Sequence, residues 1–140
     1  MNMEHETSSL VKQIDRIVHR WDKNYDLFSG GCMFAAAVIT KKLRKHNIPY
    51  RLKYYTDWKH DSIEDAVKHD DLVHIAVDVE VNSKRKTIGV NYDRKRHMYR
   101  CKDTCFRTPS QLLKLYKENR WCDYWKKSLN PKFRKEINKC

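Results

Sequence analysis

A single cysteine, Cys32, stands after two glycines at the start of an apolar, alanine-rich run, "FSGGCMFAAAVITKKL". The run predicts a helix that begins near Gly31 and ends near His46, where Asn47 takes a left-handed conformation before the "IP" pair. A cysteine in the first turn of a helix faces unpaired backbone N–H groups and the positive end of the helix dipole, and both favour the thiolate. Cys32 is therefore a candidate nucleophile, and the alternative is a buried cysteine that only packs.

Two later stretches, "LVHIAVDVEV" (residues 72–81) and "KTIGVNYD" (residues 86–93), alternate apolar and polar residues and predict the strands of a hairpin. The polar stretch "NSKRK" predicts the turn between them. Side chains on a strand alternate between two faces, so the two apolar faces match only in some registers. A turn centred between residues 83 and 84 gives such a register and pairs Val79 with Ile88.

The same register supplies a base and a group to orient it, which a nucleophilic cysteine requires. It sets His74 opposite Asp93, where the Cβ atoms of a cross-strand pair are about 4.5–5.5 Å apart. A carboxylate at that distance can hold the imidazole in one tautomer. A bulge or a slip of two residues would put Asn91 beside His74 instead. The alternative for His74 is a satisfied polar residue on a half-exposed strand face.

The remaining elements follow from spacing and capping signals. Apolar residues at three- and four-residue spacing predict an N-terminal helix over residues 8–21, and "PYRLKYY" predicts a strand. Asp61 with Glu64 resembles a capping box that starts a short helix. Two helices are predicted near the C-terminus, one from Thr108 to about Asn119 and one that opens at Asn130 and Pro131.

The pattern of a helix-start cysteine, a strand histidine and an acid on the next strand resembles the papain-like superfamily in its transglutaminase-like and NlpC-type branches. "GGCMFAAAVITKKLRKHNIPYRL" is similar to the Cys helix of that superfamily and its next strand, and "VHIAVDVEV" and "IGVNYD" are similar to the His and Asp strands. The resemblance covers roughly residues 24–93. "SGGC" and "YD" also resemble small predicted cysteine-hydrolase-like proteins of bacteriophages.

The resemblance implies an α+β fold in which a Cys-bearing helix packs on an antiparallel sheet, with added N- and C-terminal helices. It implies a Cys-His-Asp triad of Cys32, His74 and Asp93 that performs hydrolysis, deamidation or acyl transfer on a protein or peptide, without a cofactor. Asn24 and Ser29 are the candidates for stabilising the oxyanion. The chain is expected to form a single domain over residues 1–140, with a core at about 24–107 and a basic helical part at about 108–140.

The charge of the chain favours a second hypothesis. The net charge is +12, yet residues 1–80 hold 12 basic against 13 acidic residues, while residues 81–140 hold 18 basic against 5 acidic ones. Basic and aromatic residues interleave over residues 84–140, as in surfaces that bind phosphates and bases. The alternative function is therefore that of a non-catalytic protein with the same fold, which binds nucleic acid or an acidic protein of a host. The alternative is an aromatic core with a solvated basic face.

Composition also bears on metal binding and location. Five cysteines are an odd number without the spacing of a disulfide framework, so reduced thiols in a cytosol-like compartment are expected. His97, Cys101, Cys105 and Cys122 have ligand types that suit zinc, but their spacing is looser than that of paired zinc motifs. The acidic, polar N-terminus does not resemble a signal peptide and no run of residues suits a membrane span. A cytoplasmic protein is expected, in the host cytoplasm if a phage encodes it.

Overall fold

The computed structural model of the protein describes residues 3–25, 31–69, 72–88, 99–100, 111, 114 and 129–140. These residues form an α+β structure with an antiparallel sheet, as the sequence predicts. The elements in chain order are α1 (Met3–Tyr25), α2 (Cys32–Lys45), β1 (Tyr50–Thr56), α3 (Ile63–Lys68), β2 (Leu72–Val81), β3 (Lys84–Ile88), β4 (Tyr99–Arg100) and α4 (Asn130–Asn138). Among the described helices, none is long and apolar enough to cross a membrane.

Most predicted elements are confirmed, with shifts at their ends. α1 is longer than the predicted 8–21 at both ends, and β2 has the predicted bounds. Asn47 takes the left-handed conformation with φ 57°, which ends α2 as expected. The cap of α3 is Ser62 and not Asp61, because the Ser62 hydroxyl accepts a hydrogen bond of 3.1 Å from the Asp65 N–H. Of the helix predicted over 108–119, only Gln111 and Lys114 are described, and both are helical.

The sheet has the strand order β3-β2-β1-β4, with β2 and β1 at its centre. β1 pairs with β2 from Tyr50 opposite Val79 to Tyr55 opposite His74, and the register shifts between Tyr55 and Thr56. An irregularity of this kind bends a strand locally and increases its twist. The C-terminal end of β1 and the N-terminal end of β2 therefore form an irregular end of the sheet.

The register of the β2–β3 hairpin differs by two residues from the prediction. Val79 pairs with Lys86, whereas the predicted partner was Ile88. The chain turns at Asn82 and Ser83, which have φ values of 53° and 64°. A two-residue turn with both φ values positive matches the twist of the flanking strands, and asparagine tolerates this conformation well. A shift of two residues leaves every side chain on its predicted face.

One face of the sheet forms the hydrophobic core with α1, α2 and α4. From the sheet it includes Tyr54, Ile75 and Val77, all buried. Phe133 and Ile137 of α4 belong to the same cluster, as do five residues of α1: Leu10, Val11, Ile14, Val18 and Trp21. The core therefore extends on both sides beyond the predicted 24–107, because both terminal helices pack their apolar faces into it.

The opposite face of the sheet is buried along the middle of β2. His74, Ala76 and Asp78 of β2 are all buried there, although the alternating sequence predicts a half-exposed face. Alternation of apolar and polar residues indicates which side chains share a face, but it does not indicate whether the polar face meets water. The hydrogen bonds and ion pairs of these buried polar residues therefore determine how much their burial destabilises the protein.

Candidate active site at the start of helix α2

The structure begins α2 at Cys32, in the position that the sequence predicts. The Ala35 N–H donates to the Gly31 carbonyl over 3.0 Å, and this bond closes the first turn. Gly31 provides no side chain to cap the remaining N–H groups, and the first turn contains no acidic residue. The positive end of the helix dipole is therefore left for an anion at Cys32. Cys32 is only 5% exposed and belongs to the hydrophobic core.

The lengths of α2 and β1 determine which end of the sheet lies near Cys32. α2 has 14 residues and is about 21 Å long at 1.5 Å per residue. β1 has 7 residues and is about 20 Å long from its first to its last Cα atom. Only residues 46–49 connect the two, and α2 packs on β2, the strand beside β1. A connection this short favours a reversal of the chain, which would set the start of α2 toward the end of the sheet where β1 finishes and β2 begins.

His74 lies at the same end of the sheet, because it pairs with Tyr55. Its ring contacts the Tyr55 ring with centroids 6.0 Å apart and planes tilted by 33°. His74 is only 2% exposed, so its ring has a fixed position in the protein interior. It shares a face of the sheet with Ala76, whereas its neighbour Ile75 points into the core under the helices. The structure thus places Cys32 and His74 on different sides of the sheet, because Cys32 lies in the core under the helices and His74 lies on the face of Tyr55 and Ala76.

The other predicted site residues can be placed only in part. Asn24, the first oxyanion candidate, lies exposed in the last turn of α1. The second oxyanion candidate, the two candidate orienting residues and the four candidate zinc ligands lie outside the described residues: Ser29, Asn91, Asp93, His97, Cys101, Cys105 and Cys122. The prediction of the triad therefore stays a prediction.

The sequence did not reveal a buried charge cluster on the His74 face. Asp78 is buried, and its carboxylate lies 3.0 Å from the Lys53 Nζ atom and accepts a hydrogen bond of 2.5 Å from the Thr87 hydroxyl. A buried carboxylate requires such partners, because desolvation without them costs several kcal/mol. The residue types were visible in the sequence, since Lys53 and Thr87 lie on the polar faces of the strands that flank Asp78, but their burial was not. This cluster holds β1, β2 and β3 together.

A basic groove lies at the other end of α2, between α2 and α4. Its volume is about 660 Å³, and five cationic side chains line it: Lys41, Lys42, Arg44, Lys45 and Arg134. Four of the five come from α2, in the half of the chain with almost no net charge. A balanced total charge over residues 1–80 therefore conceals a strongly basic surface. The helix C-terminus attracts cations as well, which explains part of this arrangement.

No protein family, curated protein or solved structure matches this chain. The structure alone supports the α+β class and the antiparallel sheet. The likeness to the papain-like superfamily and the chemistry that it implies stay predictions.

Proposed function

We propose that the protein performs thiol chemistry on an acyl or amide group, with Cys32 as the nucleophile and His74 as the base. The observation that supports this proposal is the position of Cys32 as the first residue of α2, where Gly31 makes no side-chain cap and the first turn holds no acidic residue. Cys32 and His74 lie on different sides of the sheet, so the proposed reaction requires them to meet at its edge. There His74 takes the thiol proton and the thiolate attacks the carbonyl carbon. The leaving group departs with a proton from His74, and an acyl-enzyme results. Water, an amine or another nucleophile then takes the acyl group, which gives hydrolysis, deamidation or transfer.

The third member of the triad is open to two assignments. The sequence favours Asp93, because the predicted register sets it opposite His74. The observed pairing of Val77 with Ile88 differs from that register by two residues, and the same pairing continued along the strands would favour Asn91. Either side chain can accept a hydrogen bond from the imidazole and fix its tautomer. Single substitutions Asp93→Ala and Asn91→Ala distinguish the two assignments.

The proposal is tested by labelling the native protein with limiting iodoacetamide over a range of pH and locating the adducts by mass spectrometry. Cys32 should react first at neutral pH, because a helix N-terminus favours the reactive thiolate and the proposed base removes its proton. Cys140 is an internal control, since burial raises the pKa of its thiol and slows its reaction. His74→Ala should slow the labelling of Cys32 at pH 7, and the correct orienting residue should have a smaller effect in the same direction.

A matched control variant is His46→Ala, which removes an exposed histidine at the opposite end of α2. It should leave the labelling of Cys32 unchanged. If Cys32 stays unlabelled in the native protein while Cys140 reacts, Cys32 only packs in the core and the proposal fails. If Cys32 reacts rapidly and His74→Ala has no effect, the nucleophile stands but the assigned base is wrong.

The basic groove supports a second candidate function, a binding protein for a polyanion. Lys41, Arg44, Lys45 and Arg134 are exposed there, while the Lys42 Nζ atom donates to the Asn138 carbonyl over 3.3 Å. Four exposed cations around one groove can neutralise several phosphates or carboxylates at once. This arrangement requires no catalysis, so it can serve a protein in which the cysteine is inert.

Binding to single-stranded DNA, to RNA and to an acidic protein should be measured over a range of salt concentrations. Association through the groove should weaken steeply with salt, because counterions compete for the cations. The double variant Lys41→Glu and Lys45→Glu should abolish binding at low salt. The control is Lys12→Glu with Arg16→Glu, which makes the same charge change on exposed positions of α1. Equal losses in both variants would show that net charge alone drives the binding.

A further inference from the structure

The segment between β1 and β2 has a charge opposite to that of the whole protein. Residues 57–71 hold six acidic residues and two basic ones, which leaves −4 in a chain whose net charge is +12. Two histidines, His60 and His69, lie in the same segment. An acidic segment attracts cations, and neutral imidazoles bind transition metals. The segment therefore combines the charge and the ligand types of a metal site.

Three side chains of the segment meet at α3. The His60 Nδ1 atom lies 2.7 Å from Asp65 Oδ2, and the His69 Nδ1 atom lies 2.8 Å from the Asp65 carbonyl oxygen and 3.5 Å from Asp65 Oδ1. The two imidazole rings are 5.8 Å apart and tilted by only 31°, so they stand side by side. One ligand atom from each of the three residues lies within 4.8 Å of the others. Within the described part of the chain, this is the one such group of three metal-ligating residues.

Local structure holds the three side chains in this arrangement. The Ser62 hydroxyl caps α3 at the Asp65 N–H, which fixes Asp65 in the first turn. His69 directly follows α3, and its N–H donates to the Asp65 carbonyl over 3.2 Å, so Asp65 and His69 lie on the same side of this turn. The His60 side chain is largely buried, and it approaches Asp65 from the chain that precedes the helix. The site therefore draws ligands from two segments that the fold brings together.

We propose that His60, Asp65 and His69 bind a divalent transition-metal ion, with zinc as the best match to two imidazoles and one carboxylate. Zinc binds these ligands at about 2.0–2.2 Å, so bound ligand atoms are about 3–3.5 Å apart in a tetrahedral site. The widest separation here has to close by roughly 1–2 Å to meet that geometry. The Asp65 and His69 side chains are 46% and 60% exposed, and thus have room to make this movement.

The ion displaces the hydrogen between His60 Nδ1 and Asp65 Oδ2, which is released to the solvent as a proton. It joins the chain after β1 to α3, and three protein ligands leave one position of a tetrahedral zinc for water. Binding should therefore stabilise this segment, and it should raise the melting temperature by mass action. The competing explanation is a set of surface ion pairs, in which Asp65 only holds the two histidines.

Calorimetric titration of the full chain with zinc chloride, after removal of metal and under reducing conditions, tests the proposal. We expect one ion per chain, and we expect His69→Ala and Asp65→Asn each to weaken its affinity at least tenfold. Loss of a residue that only supports a metal ligand already costs about 10–100-fold. The matched control is His19→Ala, because the His19 Nε2 atom lies 3.4 Å from Asp15 in the same four-residue spacing, but belongs to no group of three ligands among the described residues. This variant should bind zinc as the native chain does.

Two outcomes overturn the proposal. One is the absence of zinc binding at concentrations far above that of the protein. The other is zinc binding that both site variants retain, which would assign the ion to cysteines or other residues. Circular dichroism without metal checks that the variants fold. If His69→Ala does not fold, His69→Gln replaces it. The result does not depend on Cys32, so it stands or fails apart from the proposed thiol chemistry.

Discussion

Replacement of Phe133 by alanine should destabilise the protein strongly, because this residue joins α4 to the helix that carries Cys32. Phe133 is fully buried and makes two edge-to-face contacts, with the Trp21 ring at 5.2 Å and the Phe34 ring at 5.3 Å. A buried Phe→Ala change costs about 3–5 kcal/mol in lost transfer free energy and cavity formation. Each aromatic pair contributes a further ~0.5–1.5 kcal/mol, in part already counted in that range. We expect a loss of about 4–5 kcal/mol from the free energy of unfolding.

This loss is comparable with the whole stability of a marginal domain, which is about 5–15 kcal/mol. Urea unfolding followed by circular dichroism measures it. Phe133→Leu should cost much less, since most of the volume remains, and the exposed neighbour Arg134→Ala should change stability by no more than about 0.5 kcal/mol. A loss below about 1.5 kcal/mol for Phe133→Ala would refute the packing of α4 into the core. Faster labelling of Cys32 in the alanine variant should accompany the loss, because Phe34 lies two residues from the sulfur.

Three further predictions concern the sheet. Asp78→Asn should lower the free energy of unfolding in urea by about 3–5 kcal/mol, because it leaves Lys53 without its charge partner, and water that reaches the half-buried lysine reduces this loss. Lys53→Met with Asp78→Leu should cost far less than the single change, and equal costs would contradict this account. Ser83→Gly should raise stability by roughly 1 kcal/mol, because glycine takes the positive φ of 64° without steric cost, and no gain would contradict that turn. Burial raises the pKa of Tyr50, so the folded state favours its protonated form, and stability should fall as pH rises above the unfolded value of about 10. Tyr50→Phe should lessen that alkaline loss, measured as urea midpoints between pH 9 and 11.

The sequence was most informative where spacing alone determines structure. Apolar periodicity located α1, and alternation gave the bounds of β2, because both patterns follow from the geometry of the backbone. The start of α2 at Cys32 was predictable from two glycines followed by a helix-forming run. Asn47 was predictable as a stop, since few residues take a positive φ. These features depend on neighbours in the chain.

Features that depend on partners elsewhere were not predictable. The hairpin register depended on whether Asn82 or Lys84 formed the two-residue turn with Ser83, and both choices kept the apolar residues on one face. The burial of Asp78 depends on Lys53 and on the other strands, and no local pattern shows it. The group of His60, Asp65 and His69 was missed for a different reason, because a spacing of five and four residues fits no established metal motif.

The two candidate functions lie at opposite ends of one helix, which makes them separable by experiment. Cys32 begins α2, and the groove lysines from Lys41 to Lys45 lie about 14–20 Å further along its axis. Substitutions at one end should therefore leave the other end intact, since changes more than about 10 Å apart act independently.

The burial of Cys32 and His74 restricts how an enzyme of this form could work. Both side chains are buried, so a substrate would have to reach them at an edge of the sheet, and His74 lies at the irregular end where β1 finishes. Trp58 lies two residues beyond β1 and is 72% exposed, and the Thr56 hydroxyl donates to its carbonyl over 2.5 Å. A tryptophan that a tight bend keeps exposed to solvent can pack against a bound substrate chain. If the cysteine is a nucleophile, Trp58→Ala should weaken substrate binding while the intrinsic labelling rate of Cys32 stays the same.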